Sequence, residues 1–381
     1  MLRQGQVRAR PRKGHSQAYP GVQPVSPLTA STQAFQPLPT SLGAPPYHYD
    51  LETVIPGIGA EAAANGKLIF HCVGDTGGVK KPDYQTNVAK AMIADLELPP
   101  AQVPSFFYHL GDVVYFNGQL TDYYAQFYEP YEHYTPPIIS IPGNHDGDPI
   151  NSSQVSLDGW VAYFMQSTPH VDPNSHDAPR VTMSQPNVYF TLLCPFVTIV
   201  GIYDNVPDGG SVDSIQQQWL SNELATADPT KALIVALHHP IYSFDDFHSG
   251  SPNMASVLSQ AINDSRRVPN MVLMGHVHDY QRIEQKVAGT TVPFIVSGNG
   301  GYYNLHKLNS PVGTTDPENG AKLVAGDDQN HGYMALTVSG NNISGVVTSV
   351  NDKTGKATAG FDKFSYPTAA INLAKGTTVS L

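Results

Sequence analysis

The chain of 381 residues is 40% apolar and only 14% charged, which allows a substantial core in one large domain or two ordinary ones. Its formal charge of −11 is uneven: residues 1–47 hold Arg3, Arg8, Arg10, Arg12 and Lys13 and no acid, so the body carries −16. An acidic body argues against a nucleic-acid backbone as partner, and no apolar run approaches the ~20 residues of a membrane span.

Residues 1–47 are rich in Pro, Gln, Ser and Thr and lack apolar periodicity, which predicts a disordered tail. The tail has no apolar stretch of the Sec type, and Arg8-Ala9-Arg10 is not a twin-Arg pair, so a cytoplasmic location is the default expectation. Residues 48–66 are expected to form an irregular lead-in, 67–350 the main domain, and 351–381 an extension packed on it or partly flexible. From residue 67 onward, the apolar runs 67–73, 105–110, 137–141, 232–237 and 271–274 read as buried strands. Between them, Val88, Met92 and Leu96 share one helical face and Ile215, Trp219 and Leu224 another, with Asp83 and Asp213 as N-caps. Helices alternating with buried strands predict an α/β fold. Residues 188–194 and 196–203, parted by Pro195, predict an antiparallel pair or one bent edge strand. Further strands are expected over 292–297, 333–338 and 343–349, the last two joined by a turn at Gly340-Asn341-Asn342. Cys72 and Cys194 lie in strand-like runs and read as buried free thiols.

Five short blocks follow the five apolar runs: Gly74-Asp75-Thr76-Gly77-Gly78, Gly111-Asp112-Val113-Val114-Tyr115, Gly143-Asn144-His145-Asp146, His238-His239-Pro240 and Gly275-His276-Val277-His278. Singly each is weak, since a Gly-Asp pair or a His before Pro is common and the chain has 15 His. In this order, each just beyond a strand, they point to one crevice at the carboxyl ends of a sheet. Together they offer Asp, Asp, Tyr, Asn and three His, enough for two adjacent metal ions sharing a carboxylate. Such a pair is a device for hydrolysing phosphate esters. The oxygen and nitrogen donors suit iron, zinc or manganese better than copper(I) or a calcium cage, and a phenolate from Tyr115 favours Fe(III). His145 follows Asn144 directly and belongs at the rim, as proton donor to the leaving oxygen, with Asp146 placed to orient it. His71 and His109 fall within strands and read as satisfied core groups, and His306 is expected to stay off the cleft.

The blocks resemble the calcineurin-like metallophosphoesterase superfamily, and within it the purple acid phosphatases, which carry GDxG, GDxxY, GNHD or GNHE, a His before x-Pro, and GHxH. The run Gly275-His276-Val277-His278-Asp279-Tyr280-Gln281-Arg282 also resembles that family's GHVHxYER. The likeness spans about residues 67–300. Other branches usually have D-x-H first, whereas Gly77 stands two residues after Asp75 here. The resemblance implies a four-layer α/β/β/α sandwich with a binuclear metal site at strand ends. It implies an Fe(III) site of Asp75, Asp112, Tyr115 and His278. It also implies a divalent site for Fe, Zn or Mn formed by Asp112, Asn144, His238 and His276, with Asp112 bridging. Alignment with H-x-P selects His238 and leaves His239 pointing away. Plant members have a phosphate-contacting His pair some nine residues later; here Phe247 and His248 fall on it, so His248 is the candidate contact. Plant members also have an N-terminal fibronectin-like β domain, for which residues 1–66 are too short and too Pro-rich. The implied activity is hydrolysis of a small phosphomonoester. The alternatives are a phosphodiesterase acting on nucleotides or lipid headgroups, and a non-catalytic scaffold of the same fold.

Overall fold

The computed structural model describes residues 34–381, so the tail expected over 1–47 lies outside the described residues as far as residue 33. Its remainder runs along the body. Gln36 N donates to Asn205 Oδ1 at 2.8 Å, Leu42 N to Pro186 O at 2.9 Å, and Trp219 Nε1 to Pro46 O at 2.7 Å. Regular elements then replace the irregular lead-in: β1 (His48–Asp50), α1 (Leu51–Val54) and α2 (Ile58–Asn65). Asp50 caps α1 by accepting from Glu52 N at 2.9 Å, and Leu51 and Ile58 are buried.

The chain continues through β2 (Lys67–Val73), α3 (Pro82–Ala94), β3 (Phe107–His109), β4 (Ile138–Ser140), α4 (Asn144–Gly147) and α5 (Asp158–Phe164). Next come β5 (Phe190–Leu193), β6 (Val197–Gly201), α6 (Ser214–Thr226), β7 (Ala232–Leu237), α7 (Pro252–Ser265), β8 (Arg267–Val268) and β9 (Met271–Met274). The last third is β-rich, as expected: β10 (Tyr280–Val287), β11 (Thr290–Ser297), β12 (Lys322–Asp327), β13 (His331–Ser339), β14 (Asn342–Val350), β15 (Ala357–Pro367) and β16 (Ile371–Asn372).

Six strands form one sheet in the order β15-β14-β13-β2-β3-β4, and eight form another in the order β1-β5-β6-β7-β9-β11-β10-β12. The strands β2, β3 and β4 are mutually parallel, as are β6, β7, β9 and β11. The two sheets face each other. A Cβ on Gly201 of β6 would run into Tyr108 Oη of β3 and would lie 2.7 Å from Ile141 Cγ2. Outside them, α3 packs on β13 and β14, and α6 packs on β6 and α7. This is an α/β/β/α sandwich around one continuous apolar core, in which Cys72 and Cys194 are buried free thiols.

Local differences from the sequence reading have physical causes. The segments flanking Pro195 form the antiparallel pair β5–β6, and β1 and β7 cover its two outer sides, so neither strand is an edge. Helix α6 buries Gln216, Trp219, Leu220, Glu223 and Leu224, whereas Ile215 is 70% exposed. One residue is about 100° of helix, which carries Ile215 off the face centred on Gln216 and Leu220. Asp213 caps α6 through Gln216 N at 2.7 Å. Asp83 is not a cap: Pro82 takes the first helical position, so Lys81 stands at the N-cap and Asp83 falls in the first turn.

Candidate metal centre

Parallel strands from both sheets end at one place. There β2 delivers Asp75, β3 delivers Asp112 and Tyr115, β4 delivers Asn144, β7 delivers His238, and β9 delivers His276 and His278. Bonds that tie the sheets together at this edge include Gly74 N to Ser297 O at 2.8 Å and His276 N to Asp75 Oδ2 at 2.8 Å. The chain turns sharply after each strand. Asp75, Asp112 and His276 adopt left-handed backbone (φ 58°, 54° and 68°), each at a cost on the order of 1 kcal/mol that surrounding contacts must hold. Gly111 also has positive φ, 95°. At Gly143 the reason for glycine is space: a Cβ there would run into Asp112 Oδ1 and come within 2.5 Å of Asp112 N.

The donors form two groups. Tyr115 Oη lies 3.0 Å from Asp75 Oδ1 and 3.2 Å from His278 Nε2, and His278 Nε2 is 3.5 Å from Asp75 Oδ1. In the second group, ligand atoms of Asp112, His238 and His276 lie within 4.8 Å of one another. Asn144 Oδ1 sits 3.1 Å from His238 Nε2 and 3.0 Å from His276 Nδ1. The outer nitrogens of two imidazoles are fixed by carbonyls, His238 Nδ1 by Leu110 O at 2.8 Å and His278 Nδ1 by Asn304 O at 3.1 Å. Metal-bound histidines need this support to hold their tautomer and angle.

The electrostatics fit cations. Asp75 and Asp112 are wholly buried, and Asp112 Oδ2 has no hydrogen bond among the described residues although His238 Nε2 is 3.3 Å away. Burial pushes Asp75 well above the usual carboxylate range; His238 opposes this and the charge of Asp112 adds to it. Burial alone would lower His238, but the Asp112 and Asp75 carboxylates outweigh it and hold the imidazole up at about 10. Burial, then neighbouring imidazoles, pushes His276 and His278 well down, towards the neutral form a metal requires. Converging oxygen and imidazole donors, a buried carboxylate oxygen without a hydrogen bond and adjacent buried acids are what metal ions would satisfy.

Around the donors the rim departs from the sequence reading in three places. His145 Nδ1 donates to Phe116 O at 2.8 Å and its ring stands 4.6 Å from that of Tyr115. Asp146 does not orient it. The buried Asp146 carboxylate accepts from Val113 N, Val114 N and Gly143 N at 2.9–3.2 Å, so it clamps the Asp112 turn to the Asn144 turn. His239 does not point away: it is buried, its backbone N–H donates to Asp204 Oδ2 at 2.6 Å, its ring Nδ1 lies 3.3 Å from the same oxygen, and its ring stands 4.3 Å from His276. His306, expected off the cleft, rests 4.5 Å from the His278 ring, with Nδ1 3.0 Å from Asp245 Oδ2. The same Asp245 oxygen accepts from His248 N at 2.7 Å, and the His248 ring lies 4.5 Å from His276. Burial lowers His248 to about 4, which keeps it neutral. His71 (to Tyr134 and Asp95) and His109 (to Thr76 and Gly111 N) are bonded core groups. Tyr302, which no block marks, packs 4.1 Å from Tyr115 and 4.4 Å from His278. A cavity of about 640 Å³ lined by Tyr49, Tyr163, Arg180 and neighbours shares no residue with this site. Its guanidinium is tied to the carbonyls of Tyr131 and Tyr134.

Residues 50–280 match the family described as calcineurin-like phosphoesterase. The chain belongs to that family. Its members bind divalent metal ions, typically two. Among solved structures the chain is similar to GAP50, the anchor in the inner membrane complex of Plasmodium (TM-score 0.54, 15% identity, covering 81% of this chain and 90% of that one). It is also similar to PhoD (TM-score 0.51, 14% identity, covering 83% and 72%). At these identities the likeness is one of fold. No curated protein matches the chain significantly in sequence. Among the described residues of this family member, no helix is long and apolar enough to cross a membrane.

Proposed function

We propose that the chain is a phosphomonoesterase with a binuclear centre of the purple acid phosphatase kind. The observation that carries this reading is Tyr115. Its hydroxyl meets Asp75 and His278 at 3.0 and 3.2 Å, so a phenolate there completes a hard donor set suited to Fe(III). Asp75, Asp112, Tyr115 and His278 would hold that ion, and Asp112, Asn144, His238 and His276 a divalent Fe, Zn or Mn, with Asp112 shared. Ions bound there supply Lewis acidity towards the phosphate oxygens and the attacking water.

The chain's own groups do the rest. His145, with Nδ1 engaged by Phe116 O, has Nε2 left to carry the proton to the leaving oxygen. His248, neutral and held by Asp245, hydrogen-bonds the phosphate beside His276. Asp146 acts on catalysis only by keeping the Asp112 and Asn144 turns together. The anchor named for GAP50 gives a scaffold reading some footing, but seven buried or half-buried converging donors speak against it. Metal analysis of the purified protein, with a panel of phosphomonoesters and diesters, tests the reading. About two ions per chain and a preference for monoesters are expected; a metal-poor, inactive protein, or one preferring diesters, overturns it.

A further inference from the structure

The turn after Asp75 leads to a residue that the proposed chemistry does not use. Lys80 has left-handed backbone, φ 59°, and its exposed side chain folds back over the site's edge. Its ammonium donates to Tyr303 Oη at 2.8 Å, lies 4.4 Å from the centroid of that ring and 5.8 Å from that of Phe116. It makes no ion pair with any carboxylate among the described residues. The aromatic groups beneath it lead straight to the donors. Tyr303 packs 4.8 Å from Tyr302, which packs on Tyr115, and Phe116 stands 6.3 Å from His145 and supplies the carbonyl that holds it. This half-buried aromatic rim therefore borders His145, the proposed donor to the leaving oxygen, and offers the departing alcohol a surface to rest on.

We propose that Lys80, Tyr303 and Phe116 form a leaving-group subsite that selects phosphate esters of aromatic alcohols carrying an anionic substituent. The inference rests on the phosphomonoesterase reading. The rings offer flat faces to an aryl or heteroaryl group. The exposed ammonium lies over two rings and has no carboxylate partner among the described residues, so it is free to meet an anion. Residues 48–381 carry −16 in all, Lys80 included, so a cation at the edge of the site stands out against an acidic body.

The test compares the phosphate of 4-hydroxybenzoate with that of its neutral amide, whose leaving groups are of similar basicity, and with glycerol 2-phosphate. The wild type should favour the carboxylate over the amide about tenfold in kcat/KM, through KM, as one charge-assisted contact implies. Lys80→Gln should bring that ratio close to one, and Tyr303→Ala should raise KM for both aryl esters. Calorimetric binding of 4-carboxybenzylphosphonate against its amide should give the same ratio without turnover. A wild-type ratio near one, or a ratio that Lys80→Gln leaves unchanged, overturns the subsite while hydrolysis continues. Failure to hydrolyse any of the three esters overturns both the subsite and the phosphomonoesterase reading.

Discussion

The seven donors sit on the ends of five parallel strands, each followed by one tight turn, whereas the rim comes from loops 76–81, 244–249 and 299–309, which meet only in the folded chain. The inner set is buried apart from the half-buried Asn144 and His276, rests on strained backbone and is packed so closely that a methyl on Gly143 has no room. The rim runs from buried (Asp245, His306) through half-buried (His248) to exposed (Lys80), and is held by bonds across loops, as when Asp245 serves both His248 and His306. The contrast separates two tasks. Holding charged donors within bonding distance of one another needs a rigid frame, while choosing a substrate can be left to surfaces that vary.

The contrast breaks most sharply at Asp112. Under the proposed sharing of Asp112 by both ions, Asp112→Asn should remove both metals and with them all measurable turnover, whereas Asn144→Ala should chiefly weaken the divalent site. Quantitative metal analysis reads the difference, and two full equivalents retained in Asp112→Asn would rule out sharing. A smaller loss is expected at the inner edge of the rim. His145→Ala should keep its metals and lose about 10²–10⁴-fold in kcat. The loss should be larger for alkyl phosphates, whose leaving alkoxide needs the proton, than for nitrophenyl phosphate. Equal losses on both would make His145 a phosphate-binding group instead. Asp146→Ala sharpens the comparison from the structural side. It strips three buried backbone N–H groups of their acceptor and should lower unfolding stability by about 3 kcal/mol, measured by denaturant titration of the metal-free protein. A change below about 0.5 kcal/mol would return Asp146 to the orienting role.

The same division explains what the sequence reveals. A strand end writes its donor next to an apolar run and a glycine, so β2, β7 and β9 and all five blocks are legible residue by residue. The rim writes nothing local. His306 is 58 residues from His248, and Lys80 is 223 from Tyr303, so neither pairing has a spacing to detect. His239 misleads because a variable position beside a ligand suggests a side chain turned outward, while the buried Asp204 carboxylate, set just beyond β6, accepts from its backbone N–H and faces its ring Nδ1 at 3.3 Å. Asp146 misleads because adjacency to His145 suggests partnership, whereas a short helical turn sends its carboxylate back to the Asp112 loop. Ile215 shows the limit of periodicity: its residue type fits a buried face that the helix phase does not offer.

The most direct test of the central claim is the visible absorption spectrum of the iron-loaded protein, alongside that of Tyr115→Phe. If Tyr115 donates a phenolate to Fe(III) at the end of β3, the wild type shows a phenolate-to-iron charge-transfer band. Tyr115→Phe then loses the band while keeping its fold by circular dichroism. An iron-loaded wild type that is colourless in both redox states, or a band that survives in Tyr115→Phe, contradicts the assignment and with it the purple acid phosphatase reading.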